Sequence, residues 1–313
     1  MRADPFRLRS SDGLELFIYR WRSESAPVRA TVQIAHGMGE HAGRYERLAA
    51  QLCGAGFEVF AADTRGHGLS IFAPELLGHL ADSDGWNKAV DDVDRIASHI
   101  AAERPGVPHA LLGHSLGSLL ALDSLTRGRT PPDAVVLSGI SGPPGRAIWL
   151  ALAVARFERL RLGVRGQSAL LERMLFGQFN RAFEPGESAF DWLSRDRAEV
   201  AKYVADPLCG FVLSVGGICD LSAGLRRMFT PSALAQVPRG VPVLLLSGAN
   251  DPVHDSLRGI RVLSKALRGG GGERLTERIY PDGRHEMLNE TNRDEVTRDL
   301  LEWLESSLFP RAQ

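Results

Sequence analysis

Short apolar runs recur along the chain, separated by longer segments with a helical spacing of apolar and polar residues. The apolar runs are Leu14–Trp21, Thr31–Ala35, Val59–Ala62, Ala110–Leu112, Ala134–Ser138, Val243–Ser247 and Leu275–Tyr280. In the middle runs the apolar residues follow one another directly instead of alternating with polar ones. That pattern predicts strands that are buried on both faces, as in a parallel sheet.

The segments between these runs place their apolar residues on one side of a helix. Those with helical spacing are Tyr45–Cys53, Trp86–Glu103, Leu116–Leu125 and Val296–Leu308. Strand and helix therefore alternate along the chain, which is typical of an α/β fold. We predict a mostly parallel, doubly wound, twisted sheet flanked by helices, with an antiparallel hairpin at its N-terminal edge.

The alternation stops between residues 142 and 230, where the pattern is helical and rich in arginine. This stretch follows the predicted strand Ala134–Ser138 and precedes the predicted strand Val243–Ser247. We therefore predict a helical cap at 142–230, inserted into a core of residues 1–141 and 231–313 and lying over the carboxyl ends of the strands. The alternative is a set of surface helices that lie away from any functional site.

Composition and charge limit the classes of partner. The chain of 313 residues has 37 Lys and Arg against 38 Asp and Glu, so its net charge of -1 gives no general attraction to nucleic acid.

The cysteines, Cys53, Cys209 and Cys219, form no CxxC pair and are predicted to be free thiols. The N-terminus lacks the apolar run of a secretory signal, and no apolar stretch approaches the roughly 20 residues that span a bilayer. We predict a soluble, cytoplasmic protein.

The strongest chemical signal is the sequence Gly113-His114-Ser115-Leu116-Gly117. It follows a predicted strand and opens a predicted helix, which is the position of a nucleophile elbow. A nucleophilic serine lies there on a strained turn, so the residues two before and two after it must be small. The helix N-terminus brings free N–H groups and positive partial charge to the reacting atoms. Ser115 is therefore the predicted nucleophile of a serine hydrolase.

A serine hydroxyl needs a base to take its proton, and the base needs an acid to orient it. Asp251 follows the predicted strand Val243–Ser247, and His285 follows the predicted strand Leu275–Tyr280. Both positions lie at the carboxyl edge of the sheet, and the order serine, acid, histidine fits this kind of site. We predict a triad of Ser115, Asp251 and His285.

Other residues compete for these roles. Asp282 and Glu286 lie close to His285 in sequence, but neighbours within one loop rarely point at the same ring. His254 lies close to Asp251 but does not follow a strand end. Turn or surface roles are the expected alternatives for these acids.

A tetrahedral intermediate needs two hydrogen-bond donors for its oxyanion. One is predicted to be the backbone N–H of Leu116, directly after the nucleophile. The other is predicted to come from the loop His36-Gly37-Met38-Gly39, which follows the strand Thr31–Ala35. We choose Met38, because Gly37 lets the backbone turn inward; the alternative is that this loop is only a tight turn.

Motifs for metals and cofactors are missing from the sequence. His285-Glu286 begins like a zinc-binding H-E-x-x-H motif, but Asn289 stands where the second histidine is required. The chain has no G-x-x-x-x-G-K-[ST] loop and no strand–G-x-G-x-x-G–helix unit. We predict that the protein uses neither a metal nor an organic cofactor.

The motifs resemble those of one family in their order along the core. The matching segments are His36–Tyr45, Asp63–Ser70, Gly113–Gly117, Gly248–Val253 and Gly283–Glu286. They resemble the monoacylglycerol lipase and lysophospholipase group of α/β-hydrolases, which is related to serine aminopeptidase-type hydrolases. The resemblance implies the α/β-hydrolase fold, the triad Ser115, Asp251 and His285, and oxyanion donors at Met38 and Leu116. It implies a structural role for the loop of Asp63, Arg65 and His67.

This resemblance implies a carboxylic ester hydrolase that acts on monoacylglycerol-like or lysophospholipid-like esters. In the cap, the residues Trp149, Leu152, Phe157 and Leu160 have the spacing of one helical face. We predict that this face lines the substrate pocket or makes transient contact with lipid surfaces. The alternative is an ordinary cap helix that packs on the core.

Two other functions fit the same fold. An aminopeptidase of the proline-iminopeptidase kind would need cap carboxylates to hold a free amino terminus. The acids available for that purpose are Glu172, Glu184, Glu187, Asp191 and Glu199. The third class is a binding module without catalysis, although the triad and both oxyanion loops are present in this sequence.

Overall fold

The computed structural model describes residues 1–145, 147–255, 257–270 and 274–310. Its strands are β1 (Arg2–Ala3), β2 (Phe6–Arg9), β3 (Glu15–Arg22), β4 (Ala30–Ala35), β5 (Phe57–Ala62), β6 (His109–His114), β7 (Ala134–Ser138), β8 (Val243–Gly248) and β9 (Leu275–Tyr280). They form one sheet in the order β1-β3-β5-β4-β6-β7-β8-β9, with β2 paired to β3. The pairs that involve β3 are antiparallel and all others are parallel.

Helices follow most of the parallel strands. They are α1 (Glu46–Gly54), α2 (Gly85–Glu103), α3 (Leu116–Arg127), α4 (Ala147–Leu162), α5 (Ala169–Leu175), α6 (Arg197–Ala205), α7 (Val215–Met228), α8 (Pro231–Leu234), α9 (Arg258–Gly270) and α10 (Arg293–Leu308). None of the helices in the described ranges is long and apolar enough to cross a bilayer.

Strand β8 shows why the apolar runs of the sequence do not alternate. All its residues are buried, and successive side chains point to opposite faces of the sheet. Leu244 and Leu246 join a cluster with residues of α1 and α10, whereas Val243 and Leu245 join a cluster with residues of α2, α3 and α9. Both faces are therefore covered by helices, and the predicted fold, including the antiparallel hairpin β2–β3, is confirmed.

Helices α4 to α8 occupy the connection between the neighbouring strands β7 and β8. No strand interrupts them in the described part of residues 142–230. A separate apolar cluster includes Ala155 of α4, Leu171 of α5 and Ile218 of α7, and it contacts Met38 of the core. This arrangement fits the predicted cap, whose exact boundaries stay a prediction.

Helix α7 is attached firmly to the core. Gly224 lies so close to the indole of Trp86 on α2 that a side chain there would collide with it. Asp123 of α3 is buried and accepts a hydrogen bond of 2.6 Å from Trp86 Nε1. The same carboxylate forms an ion pair of 2.5 Å with Arg227 of α7. This helix therefore joins the cap to α3, the helix that directly follows Ser115.

Candidate active site

Ser115 lies on the turn between β6 and α3 with a left-handed backbone, φ 50° and ψ −115°. This conformation is strained for a residue with a side chain, and it persists because its surroundings fix it. The Ser115 N–H donates to the carbonyl of Ser138 on β7 at 2.9 Å. A side chain at Gly113 would run into the backbone of Gly117, and one at Gly117 would run into the carbonyl of Ala35. The small residues of the elbow are therefore required by packing.

His285 and Asp251 form a buried pair at the ends of β9 and β8. The Nδ1 of His285 lies 2.8 Å from Oδ2 of Asp251. The other carboxylate oxygen of Asp251 accepts a hydrogen bond of 2.9 Å from the N–H of Val253, which orients the carboxylate. Because a carboxylate only accepts, Nδ1 carries the proton and Nε2 is free to act as a base.

The competing groups have other partners. Asp282 is exposed and lies 3.9 Å from the guanidinium of Arg195. Glu286 binds Arg44 through both of its carboxylate oxygens. The ring of His254 contacts the carbonyl of Gly248 at 2.9 Å through Nε2. The structure therefore brings only Asp251 to the ring of His285 among these competing acids.

Burial and charge act in opposite directions on the pKa of each member of this pair. Burial alone would lower the pKa of His285, but the carboxylate of Asp251 raises it, and the net pKa lies above the usual value for histidine. Burial alone would raise the pKa of Asp251, but the charge and hydrogen bond of His285 bring it below the usual value. The acid therefore stays ionised over the pH range in which the imidazole titrates.

The imidazole of His285 lies close to the residue that precedes Ser115. The ring of His285 lies 4.8 Å from the ring of His114, the neighbour of the nucleophile. Gly139, with φ +59°, leaves the space beside the imidazole open, since a side chain there would come within 3.0 Å of it. No hydrogen bond joins Ser115 Oγ to His285 in the described part of the chain. Such contacts are often long in a free enzyme and shorten when substrate binds.

The loop after β4 is held beside the nucleophile. A side chain at Gly37 would come within 3.2 Å of Ser115 Cβ. The carbonyl of Gly37 lies 2.7 Å from Nδ1 of His36, and Nε2 of that ring accepts a hydrogen bond from Thr64 N–H at 2.8 Å. Nδ1 of His36 is therefore the protonated nitrogen, and it donates to the carbonyl.

This hydrogen bond fixes the direction of the Met38 N–H. In a trans peptide the carbonyl of Gly37 and the N–H of Met38 point in opposite directions, so this N–H points away from His36. Among the described residues, neither the N–H of Met38 nor that of Leu116 has an acceptor. The two predicted oxyanion donors are therefore free to bind a ligand oxygen; their catalytic role stays a prediction.

The cap contacts His285 directly. The ring of Trp192 lies 4.9 Å from the imidazole, and the N–H of His285 lies 3.4 Å from the carbonyl of Trp192. The ring of Phe179 lies 5.0 Å from Trp192, and that of Phe176 lies 5.7 Å from Phe179. Sequence reasoning missed these three aromatic residues, because they lie in a stretch that has no regular spacing.

The predicted face of α4 is wrong as a single face. Leu152 is buried, together with Ala151 and Ala155, on the side of α4 that packs toward α7. Trp149, Phe157 and Leu160 are exposed. Phe157 and Leu160 therefore do not share a surface with Leu152, whereas the ring of Trp149 lies 3.6 Å from the guanidinium of Arg226 on α7. The part of all four residues in a substrate pocket stays a prediction.

The loop of Asp63 has structural contacts. The Asp63 carboxylate accepts hydrogen bonds from the N–H groups of Ala42 and Leu69 at 2.8 and 2.7 Å. Arg65 is completely buried and forms an ion pair of 2.7 Å with Asp92. These contacts hold neighbouring loops in place, as the resemblance implies.

Among the described residues, one cluster of metal-ligating residue types was missed because His41 is far in sequence from Asp206 and Cys209. Potential ligand atoms of His41, Asp206 and Cys209 lie within 4.8 Å of one another. Nε2 of His41 already lies 3.0 Å from Asp206 Oδ2. Burial raises the pKa of the Cys209 thiol well above its usual value, which opposes the thiolate that a metal requires.

Comparisons with known proteins identify the family of this chain. The family model described as "Serine aminopeptidase, S33" (Hydrolase_4) matches residues 26–292. The chain is 30% identical to the monoglyceride lipase of Homo sapiens over 90% of this chain and 83% of that protein. It is 28% identical to the monoacylglycerol lipase of Mycolicibacterium smegmatis over 95% of each. A carboxyl esterase from Bacillus coagulans, at 24% identity, matches with a TM-score of 0.88 over 98% of this chain and 99% of its own. The predicted resemblance is confirmed.

Proposed function

Because this chain belongs to the Hydrolase_4 family, we propose that it is a carboxylic ester hydrolase that cleaves monoacylglycerol-like or lysophospholipid-like esters. The observation that carries the proposal is the buried pair of Asp251 and His285, whose imidazole lies 4.8 Å from the ring of His114, the residue before the strained Ser115. Relatives named as monoglyceride or monoacylglycerol lipases match nearly the whole chain, which supports esters as the substrate class.

In the proposed reaction, Ser115 Oγ attacks the acyl carbon while Nε2 of His285 takes the hydroxyl proton. The carbonyl oxygen gains negative charge and accepts hydrogen bonds from the N–H groups of Met38 and Leu116. The C–O bond to the alcohol then breaks, and His285 returns the proton to the leaving oxygen. Water repeats these steps on the acyl-enzyme and releases the carboxylic acid and free Ser115. Asp251 holds the imidazole and stabilises its positive charge throughout.

The aminopeptidase alternative is not favoured. It would need a cap carboxylate that is free to bind an amino terminus. Asp191 accepts hydrogen bonds from Ser188, and Glu187 forms an ion pair with Arg197. Glu199 forms an ion pair with Lys202. The remaining candidates, Glu172 and Glu184, are exposed. The lipase names of the relatives also support an ester rather than an amide.

We further propose that the acyl chain lies along the cap aromatics Trp192, Phe179 and Phe176. Their rings lead stepwise from the imidazole into the cap, and all three are only half-buried. Burying acyl methylenes there would contribute about 0.8 kcal/mol each. We expect Trp192→Ala to lower kcat/KM for long acyl esters more than for acetate. The control is Phe309→Ala, which removes a half-buried aromatic ring that faces Arg29 at the end of α10. An equal fall for all acyl lengths would contradict this path.

The outer face of α4 is proposed to make transient contact with lipid surfaces. Trp149, Leu150, Phe157 and Leu160 are exposed there, and Arg156 and Arg159 are exposed among them. Apolar and cationic side chains together suit an anionic lipid interface. Phe157→Asp combined with Leu160→Asp should weaken binding to phosphatidylglycerol vesicles in a sedimentation assay. Unchanged binding would contradict this surface.

A panel of substrates tests the reaction itself. The proteins are the wild type and Ser115→Ala, and the substrates are p-nitrophenyl esters, monoacylglycerols, lysophospholipids and aminoacyl amides. We expect the wild type to hydrolyse the esters and Ser115→Ala to be inactive. Faster hydrolysis of the aminoacyl amides than of any ester would move the protein to the aminopeptidase class.

A further inference from the structure

Arg44 is a buried arginine that lies between two loops of the candidate active site. Its side chain is 11% exposed. Nη1 lies 2.5 Å from the Glu40 carboxylate and 2.7 Å from that of Glu286, and Nη2 lies 2.7 Å from the other oxygen of Glu286. The guanidinium therefore binds Glu286 with two hydrogen bonds and holds Glu40 with a third.

Each of the two carboxylates is attached to one part of the proposed machinery. Glu40 accepts the N–H of Gly37 at 2.6 Å, directly before the proposed oxyanion donor Met38. Glu286 directly follows His285, and its own N–H donates to the cap residue Leu193 at 2.7 Å. A shift of either carboxylate would therefore move a proposed catalytic group.

The cap covers the same arginine. The guanidinium of Arg44 lies 4.9 Å from the ring centre of Tyr203 on α6. The neighbouring loop is fixed by the N–H of Gly210, which donates to the carbonyl of Gly39 at 2.9 Å. Water is therefore largely excluded from this network, and the low dielectric strengthens its ion pairs.

We propose that Arg44 is a positioning residue that holds the oxyanion loop and the histidine loop in one fixed relation for the reaction. This inference rests on the proposed function. Arg44 touches neither Ser115 nor His285 in the described hydrogen-bond network, so it acts through Glu40 and Glu286. A displacement of about 1 Å between reacting groups can cost about 100-fold in rate.

The network also sets the charge around His285. The carboxylates of Asp251, Glu286 and Glu40 raise the pKa of the imidazole, against the lowering effect of its burial. His114 also faces this ring, and burial lowers its pKa to about 4, so it is neutral at the pH values at which His285 titrates. Arg44 keeps both glutamates ionised by lowering their pKa values against burial. Removing the charge of Glu286 should therefore lower the pKa of His285.

The test uses substitutions of the network and a matched arginine elsewhere. Arg44→Met is expected to lower kcat for p-nitrophenyl acetate by about 100-fold with little change in KM. Arg44→Lys should recover only part of this loss, because one ammonium cannot replace the planar fork. The control is Arg20→Lys; Arg20 is 13% exposed and binds Glu58 at the amino end of β5, the edge of the sheet opposite the site. A kcat of Arg44→Met equal to that of Arg20→Lys would overturn the proposal.

A double-mutant cycle separates positioning from mere stabilisation. Glu40→Gln and Glu286→Gln should affect kcat non-additively when Arg44 is present, and additively in the Arg44→Met background. Glu286→Gln, which is close in shape to the native residue, should also move the acidic limb of the pH profile to lower pH. Additive effects with Arg44 present, or an unmoved acidic limb, would contradict the proposal.

Measurements on the wild type and Ser115→Ala test the proposed function independently of the Arg44 network. Wild-type hydrolysis of p-nitrophenyl acetate, together with fluorophosphonate labelling that depends on Ser115, establishes the reaction before any network variant is compared. If the wild type neither hydrolyses p-nitrophenyl acetate nor reacts with the probe, the proposed function is refuted. If the wild type is active but Arg44→Met has the same kcat as Arg20→Lys, only the role of Arg44 is refuted.

Discussion

The loops at the carboxyl edge of the sheet and the outer face of helix α4 are built in opposite ways. Asp251 and His285 are buried; Asp251 accepts a hydrogen bond from the N–H of Val253 in its own loop, and the N–H of His285 donates to the carbonyl of Trp192 in the cap. On α4, Phe157 is 63% exposed and Leu160 is 88% exposed. The loops at the carboxyl edge hold a few polar atoms in fixed positions, whereas the outer face of α4 exposes apolar side chains that a binding partner can contact.

This difference separates two tasks within one chain. Chemistry depends on polar atoms whose positions vary little, and buried ion pairs such as that of Arg44 with Glu286 supply that constancy. Contact with an ester that is poorly soluble in water depends on apolar surface and tolerates variation in position. We therefore expect substitutions in the two regions to differ both in size and in kind.

The largest effect is expected at the nucleophile. Ser115→Ala removes the atom that forms the acyl-enzyme, so labelling by a fluorophosphonate probe and ester hydrolysis should both be abolished. Phe157→Ala on the exposed face serves as the control and should be labelled like the wild type. Mass spectrometry that locates the adduct on any residue other than Ser115 would refute the assignment.

The next largest effect is expected at the buried pair. Asp251→Asn and His285→Ala should each lower kcat by about 10,000-fold, because the imidazole loses its orientation or is missing. Their combination should cost little more than either alone, since these groups act as a unit. If the fold-loss in kcat of the double variant equalled the product of the two single fold-losses, the result would contradict a triad.

The pH profile gives an independent readout of the same pair. Only neutral His285 accepts the Ser115 proton, so activity is lost as pH falls through its pKa. Because the net pKa of His285 is raised, the acidic limb should lie above the value of about 6.5 for an unperturbed histidine. A limb at or below that value would mean that Asp251 does not control the imidazole.

Sequence reasoning performed well in the core for a physical reason. A strand that is buried on both faces is predominantly apolar, and β7, which is buried throughout, has the bounds that the sequence predicts. The edge strand β9 also has its predicted bounds, although its central residues Glu277 and Arg278 are exposed. The elbow around Ser115 is equally constrained, because Gly113 and Gly117 have no room for side chains. Such requirements are local, so they can be recognised in a single sequence.

Contacts between distant segments could not be predicted in this way. Arg44 and Glu286 are separated by most of the chain, and either alone resembles an ordinary surface charge. In the cap, the prediction of one apolar face on α4 failed, because the spacing of apolar residues groups them on one side of a helix but does not show which of them are buried. Leu152 lies at the edge of the exposed face and turns inward toward α7. None of the helical segments predicted from the sequence covers α9 (Arg258–Gly270).

A smaller effect, on stability rather than chemistry, is expected within α4. Leu152→Ala should lower the free energy of unfolding by about 2–5 kcal/mol, because it leaves a cavity in a packed interface. Phe157→Ala on the exposed side should change it by no more than about 0.5 kcal/mol. Urea denaturation of both variants measures the difference. Equal losses of unfolding free energy in the two variants would mean that Leu152 is not packed in an interface of the cap.

The smallest effect is expected from removal of metals. His41, Asp206 and Cys209 lie close enough to hold an ion, but His41 is already bonded to Asp206, and burial keeps the Cys209 thiol protonated. The proposed mechanism also places no metal between Ser115 and the ester. Exhaustive dialysis against EDTA should therefore leave kcat and KM for ester hydrolysis unchanged. If activity fell and zinc restored it, Cys209→Ser should abolish that restoration and Cys53→Ser should not, and this result would assign the cluster as a zinc site on which activity depends.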